Sequence, residues 1–409
     1  MSYPIRPISE DEWQAFGDVL AEGFNWTPNP QQQERYKAGT EFDRTLAAFD
    51  GDTIAGVTGI HSFAMTVPGG PIPVAGVTAV SVLPSHRRRG ILSSLMRRQL
   101  ADVRDRGEAV AALYASEAGI YGRFGYGRAS DDLSFTIAKA NSAFVKNAPV
   151  DPALRLRVAK PADVRGELEA LFASVLAERP GRYTRSSHMW DGVLADEEFD
   201  QQGNGNLRSI LAEDSSGVRG YALFRIKPSW NENGIPDGVL WLHELYTADP
   251  AAYALLWRSV LERDLVSTVR TWGRPVDDPI IHLLAEPRQL KARWADELWV
   301  RLVEVGKALE SRSYAVPVDI VIEVLDDVCP WNAGRWRLTA DASGASCKAT
   351  DEEPSVTLPV SALGAVYLGG GSLGGLQGAG LLTEHTPGAV RSLGAAMSWD
   401  PKPWAGLTF

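Results

Sequence analysis

Arg87, Arg88 and Arg89 run directly into Gly90, between an apolar run at residues 77–83 and a segment whose apolar residues recur at helical spacing: Ile91, Leu92, Leu95, Met96, Leu100 and Val103. The first N–H groups of a helix have no partner within it, and the helix dipole is positive at the same end. The backbone donors of residues 88 to 92 therefore suit an anion. Gly90 lets a phosphate approach the backbone, and the arginines add charge-assisted bonds that match a pyrophosphate. The plain alternative is a solvated helix end. Three cations beside a positive helix end repel it, however, so the arrangement is destabilising unless an anion is bound. A second block follows closely, Ala115-Ser116-Glu117-Ala118-Gly119-Ile120-Tyr121-Gly122-Arg123-Phe124-Gly125-Tyr126. Tyr121, Phe124 and Tyr126 could be an aromatic packing cluster, the reading taken here for Phe124 and Tyr126.

The elements that must hold these residues occur twice. Residues 44–60 place two apolar runs around Asp50-Gly51, and residues 207–226 do the same around Asp214 to Gly217, each predicting a β-hairpin. A short strand, a capped turn and an amphipathic helix precede both hairpins, from Tyr3 and from Leu154. Both are followed by a strand, a Pro-containing turn, a helix and a strand, over residues 77–115 and 239–271. A shared order of that length predicts one α/β module in two copies, joined near residues 146–152. From about Trp294 the pattern turns strand-like, at residues 319–325 and 335–340, which predicts a smaller α+β domain. The expected domains are thus 1–147, 148–293 and 294–409. Gly369, Gly371 and Gly374 form a G-x-G-x-x-G, but without a strand before it and a helix on its third glycine the segment 364–380 reads as a tight loop. The second copy lacks arginine and glycine at its helix entrance. Asp249 stands there instead, where it would repel a pyrophosphate, so that copy is expected to be a wall of the cleft.

The chain has 409 residues, 44% of them hydrophobic and 22% charged, with a formal charge of -10. That length exceeds a single core and that composition excludes disorder or a fibre, while the charge disfavours nucleic acid as a partner. Two cysteines, Cys329 and Cys347, make neither a disulfide scaffold nor a four-ligand zinc site. The start of the sequence shows no secretory signal and no apolar run long enough for a membrane span, so a cytoplasmic protein is expected. The histidines are isolated, His86 lying in the basic turn, and no metal site is expected.

The two blocks together resemble the GNAT superfamily of acyl-CoA-dependent N-acyltransferases, whose signature, R/Q-x-x-G-x-G/A, follows a strand. Residues 87–92 match except that Leu92 replaces the small last residue. That departure agrees with one branch, the enhanced intracellular survival (Eis) family, which has His-Arg-Arg-Arg-Gly followed by two apolar residues and A-S-E-x-x-I-Y-G-R-F-G-Y. The resemblance spans the whole chain. It implies two tandem GNAT-like domains, the second degenerate, followed by a sterol carrier protein-like domain. It further implies acetyl-CoA as cosubstrate, an amine as acceptor and a homohexamer.

By the same resemblance, Val80 and Val82 line the thioester arm, the Val82 N–H polarises the carbonyl, and Arg87, Arg88, Gly90, Ile91 and Ser116 complete the cofactor site. Tyr121 occupies the general-acid position. A tyrosine, with a reference pKa near 10 against roughly 8.5 for a thiol, is protonated at neutral pH and can hydrogen-bond the departing sulfur. No side chain at a telling spacing offers a base. The resemblance supplies one, a terminal carboxylate on a final phenylalanine, here Phe409. With a pKa near roughly 3.5 it would act by orientation and through ordered water. The apolar ending after Trp399 predicts a docked tail. Family members that acetylate aminoglycosides carry acidic residues at two positions that align here with Phe24-Asn25-Trp26 and Thr408. An amine with an aromatic or apolar body, stacking on Trp26 near Tyr36, is therefore as well suited as an aminoglycoside-like one or a lysine side chain. The competing reading is a non-catalytic CoA- or lipid-binding sensor.

Overall fold

The computed structural model describes residues 3–409. The chain forms two compact units, one of residues up to 130 with 183–188 and 297–409, the other of residues 131–182 and 189–296.

The first unit opens with β1 (Ile5–Arg6), α1 (Trp13–Phe24), α2 (Pro30–Ala38), β2 (Leu46–Asp50), β3 (Thr53–Val67), β4 (Gly70–Val82), α3 (Ile91–Asp105), β5 (Val110–Tyr114), α4 (Ala118–Tyr121) and β6 (Gly127–Arg128). β2 and β3 form the hairpin expected at Asp50-Gly51, with Gly51 at φ +58°. Asn29 caps α2 by accepting the Gln32 N–H at 3.1 Å, and Pro30 supplies a first helical position that needs no donor. α3 is the crossover between the parallel strands β4 and β5, and it buries Met96, Leu100 and Val103 against Ile60, Val77 and Leu113. Each such side chain contributes roughly 1.5–3 kcal/mol on leaving water.

Two irregularities in this sheet shape the site. The β3–β4 register shifts between Val57, opposite Ser81, and Gly59, opposite Thr78, with Ala79 at φ +55°. Such a bulge bends the strand that carries it. The β4–β5 ladder is limited to Ala75–Ala111 and Gly76–Ala112, so the two strands diverge beyond Gly76.

The second unit contains β7 (Asp131–Ser134), β8 (Thr136–Ala138), β9 (Arg155–Ala159), α5 (Arg165–Val175), α7 (Glu198–Gln201), β10 (Arg208–Asp214), β11 (Gly217–Lys227), β12 (Gly238–Thr247), α8 (Pro250–Leu261), β13 (Val266–Thr271), β14 (Arg274–Pro275), α9 (Ile280–Leu283) and β15 (Arg293–Asp296); α6 (Ser187–Val193) lies between α5 and α7 in the chain. Its main sheet runs β8-β13-β12-β11-β10-β9, and β14-β7-β15 form a small second one. The repeated hairpin is β10–β11 and the repeated crossover helix is α8. Here the parallel pair β12–β13 is laddered from Gly238 to Leu242, with one register shift between Gly238 and Val239, so the two strands do not part early.

The remaining elements are β16 (Leu298–Leu302), α10 (Val305–Glu310), β17 (Val318–Leu325), β18 (Gly334–Asp341), β19 (Gly344–Ala349), β20 (Val356–Pro359), α11 (Val360–Val366), α12 (Leu373–Gly378), β21 (Thr383–Glu384) and α13 (Ala389–Met397). β16 enters the first sheet between β5 and β6, completing the order β1-β2-β3-β4-β5-β16-β6. β19-β18-β17-β20-β21 form the C-terminal sheet. The chain leaves the first unit at Ser130, short of the break expected at residue 147, because β7 and β8 find their ladder partners in the second unit. The glycine-rich segment is not a loop throughout: Gly364 lies in α11, and Gly374 to Gly378 lie in α12. Its glycines serve close packing, since a Cβ at Gly369 would lie 2.4 Å from the Trp399 side chain and one at Gly371 2.2 Å from the Ala365 carbonyl.

Candidate active site

The divergence of β4 and β5 opens a cavity of about 650 Å³. Val80 and Val82 of β4, Arg87, Arg88, Gly90 and Ile91 of the basic turn, and Ser116 and Tyr121 from the segment after β5 all line it. The two blocks singled out in the sequence thus meet in one place.

The direction of the Val82 amide follows from the ladder. The Leu83 N–H donates to the Ala55 carbonyl at 3.0 Å, on the β3 side. Successive residues of an antiparallel strand alternate, so the Val82 N–H points to the other side, which β5 has vacated. α1 packs tightly behind this strand, as a Cβ on Gly23 would fall 1.9 Å from Ser81 Oγ, which itself donates to the Val19 carbonyl at 3.0 Å.

At the helix entrance, Gly90 is the N-cap of α3 with φ +82°, and no side chain caps the first turn. The first helical bond runs from the Ser94 N–H to the Gly90 carbonyl at 3.0 Å, so the N–H groups of 91 to 93 have no helical acceptor. Arg88 holds the left-handed conformation at φ +63°. Of the neighbouring side chains, Arg89 turns away to the Tyr3 hydroxyl at 3.4 Å, and the His86 ring lies 3.1 Å from the Asp50 carboxylate. The second copy shows the opposite arrangement. Asp249 caps α8 with its own carboxylate, accepting the N–H groups of Ala251 and Ala252 at 3.0 and 2.9 Å, and pairs with Arg219 at 3.0 Å. An anion is already built into that helix end.

Tyr121 is buried on the wall of the cavity, and burial, assisted by Glu117, pushes its hydroxyl up to about 12. It stays protonated at any physiological pH. Phe124 and Tyr126 lie in the core beneath it, and the buried Tyr126 hydroxyl has no hydrogen-bond partner, as suits packing residues.

The tail is docked. The Phe409 ring lies 4.8 Å from Phe63, 5.1 Å from Tyr114 and 5.3 Å from Tyr183, centroid to centroid, and its backbone oxygen accepts from Thr78 Oγ1 at 3.3 Å. Gly76 makes room for two of these rings, since a Cβ there would stand 2.3 Å from Phe63 and 3.1 Å from Phe409. The Tyr114 hydroxyl donates to the Leu407 carbonyl at 2.6 Å, and the Tyr183 hydroxyl donates to the same oxygen. Thr78, Tyr114 and Tyr183 have no sequence signal, because what joins them is the path of a tail hundreds of residues away. Thr408 is exposed. Trp26 and Tyr36 are exposed too, at 41% and 48%, beside Phe24 at 47%. Neither Trp26 nor Tyr36 is among the residues that line the cavity.

Comparison with known proteins bears on this arrangement. Residues 4–129 and 181–302 each match an acetyltransferase (GNAT) domain, and residues 305–406 match a sterol carrier protein domain. An uncharacterized N-acetyltransferase of Streptomyces avermitilis is 42% identical, with 99% of each chain covered. N-acetyltransferase Eis of Mycobacterium tuberculosis is 30% identical, with 98% of each chain covered. The chain belongs to the Eis-like family of GNAT N-acetyltransferases. The crystal structure of Eis1 from Mycobacterium abscessus superposes with a TM-score of 0.85 at 32% identity, covering 99% of this chain and 100% of that one. Eis-like organisation accounts for both GNAT copies and the C-terminal domain. It makes the chain an N-acyltransferase, which displaces the reading as a non-catalytic sensor. GNAT acetyltransferases use acetyl-CoA. An uncapped helix end flanked by Arg87 and Arg88, continuous with a cleft beside strand amides, fits that cosubstrate. Among the described residues no helix is long and apolar enough to cross a membrane.

Proposed function

We propose that the first unit transfers the acetyl group of acetyl-CoA to the primary amine of a small molecule or a lysine side chain, with a preference for amines that carry an aromatic or apolar body. The observation that carries this reading is the continuity of the cavity from the uncapped α3 end to Tyr121. The pyrophosphate is assigned to the N–H groups after Gly90, with Arg87, Arg88 and Ile91 around it. The thioester lies along Val80 to Val82, with Ser116 opposite. The amine nitrogen attacks the thioester carbon while the Val82 N–H stabilises the charge that develops on the carbonyl oxygen. The C–S bond then breaks, and Tyr121 donates a hydrogen bond or proton to the departing sulfur. The amine's proton passes, through water, to the carboxylate at Phe409. Docking of the tail among three aromatic rings supports that last assignment.

Phe24, exposed and lining the cavity, with Thr408 exposed at the tail, supports an acceptor with an apolar or aromatic body rather than a polycationic sugar, whereas Trp26 and Tyr36, expected in the pocket, lie outside its lining. A thiol-release assay over aromatic amines, aminoglycosides and lysine peptides tests the ranking. Lower KM values for the aromatic amines are expected, and a uniform preference for aminoglycosides would overturn it. A homohexamer and a cytoplasmic location belong to the same proposal. Two free, buried cysteines support the location, and native mass checks the assembly.

A further inference from the structure

The path of the tail points to one more residue. Glu297 sits at the junction of β15 and β16 and is 5% exposed. Its carboxylate accepts the Ala405 N–H at 3.1 and 3.2 Å and the Gly406 N–H at 3.1 Å, and it accepts from Ser130 Oγ at 2.7 Å. A buried carboxylate without such donors is costly, so this charge and the tail backbone require each other. We propose that Glu297 is a positioning residue for acetyl transfer, fixing residues 405 and 406 so that Phe409 presents its carboxyl group in the cleft. The inference rests on the role assigned above to Phe409.

The geometry separates this from ordinary core stabilisation. Glu297 grips the tail three residues before its end, and Gly406, at φ +81°, turns the chain there. Beyond that turn, Tyr114 and Tyr183 hold the Leu407 carbonyl and Thr78 holds Phe409. The attachments downstream of the turn are neutral hydrogen bonds and ring contacts, which tolerate sliding. Glu297 supplies the charged, two-amide attachment that sets the register of the tail against the strands. It does not line the cavity, so losing it should spare acetyl-CoA binding.

The test compares wild type, Glu297→Gln, Ser130→Ala and a chain extended beyond Phe409. Misplacement by about 1 Å costs on the order of a hundredfold, so Glu297→Gln should lower kcat roughly 10- to 100-fold with KM for acetyl-CoA within about twofold. Carboxypeptidase should release Phe409 roughly tenfold faster from the variant, since local opening governs such cleavage. If Glu297→Gln does not fold, Ser130→Ala, which removes one orienting hydroxyl, should still lower kcat and speed release, by roughly three- to tenfold. A folded variant with unchanged kcat and unchanged release of Phe409 would overturn the inference. If the extension abolishes activity while Glu297→Gln behaves as wild type, the inference alone fails. An extension without effect would instead remove the carboxyl role itself.

Discussion

Replacing Gly90 by aspartate would give the first copy what the second already has, a carboxylate at the helix entrance. In the second copy Asp249 takes up the N–H groups of residues 251 and 252 at about hydrogen-bond length, and no anion is needed there. In the first copy the same substitution puts a negative charge beside the N–H groups after Gly90, where the pyrophosphate is assigned. Losing one charge-assisted contact costs about 1.5–3 kcal/mol. At about 1.4 kcal/mol per factor of ten, acetyl-CoA affinity should fall about 10- to 150-fold. Stability should change less. A non-glycine residue at φ +82° costs roughly 1–2 kcal/mol, offset in part by the carboxylate's interaction with the helix dipole. A Cβ at Gly90 meets nothing within 4 Å, so no clash adds to the cost. Gly90→Asn, of the same shape and without the charge, isolates the electrostatic part. Calorimetric titration of acetyl-CoA into wild type and both variants, with melting temperatures alongside, reads the result. Equal Kd values for Gly90→Asp and Gly90→Asn would refute the assignment of the pyrophosphate to this helix end.

Tyr121→Phe should lower turnover roughly 10- to 100-fold with little change in acetyl-CoA affinity. Because burial pushes the Tyr121 hydroxyl up to about 12, it stays protonated, and the ratio of wild-type to variant rates should be nearly flat from pH 7 to about 11; a ratio that has fallen about tenfold by about pH 11 would show an ordinary tyrosine. Extending the chain past Phe409 by a few residues turns its carboxylate into a neutral amide and should slow transfer at least about fivefold, a loss near 1 kcal/mol in the transition state, at unchanged melting temperature. Asp249→Ala removes a helix cap and should destabilise by about 0.5–2 kcal/mol in denaturant titration while leaving kcat unchanged, since the second helix end binds no cosubstrate in this account.

The chemistry legible in the sequence was local chemistry. Arg87 to Gly90 are contiguous, and a helix end follows from the spacing of Ile91 to Val103, so an uncapped helix start behind a basic turn could be drawn before any fold was known. Asp249 was equally legible, although the structure gives it a positive task, capping α8, beyond mere repulsion. The hairpins at Asp50-Gly51 and at Asp214 to Gly217 were carried by their turns. What escaped was set by partners far along the chain. The bulge at Ala79 appears only in the register of β4 against β3, and the early end of the β4–β5 ladder only in the pairing of two strands joined through α3. Glu297 meets Ala405 and Gly406 across 108 and 109 residues. The same blindness misplaced residues 131–138, whose ladder partners lie beyond residue 260, and turned the helices around Gly364 to Gly378 into a loop, because glycines that serve close packing look like glycines that serve turns.

The central claim is acetyl transfer in the cleft of the first unit, and product stoichiometry tests it most directly. Purified protein is mixed with acetyl-CoA and an aromatic amine, and free thiol and N-acetylated amine are measured together, for wild type and for Tyr121→Phe. The account predicts one thiol released per acetylated amine, with both products suppressed to the same degree in the variant. Thiol released at the same rate without the amine, or transfer undiminished in Tyr121→Phe when chemistry limits the rate, would contradict it.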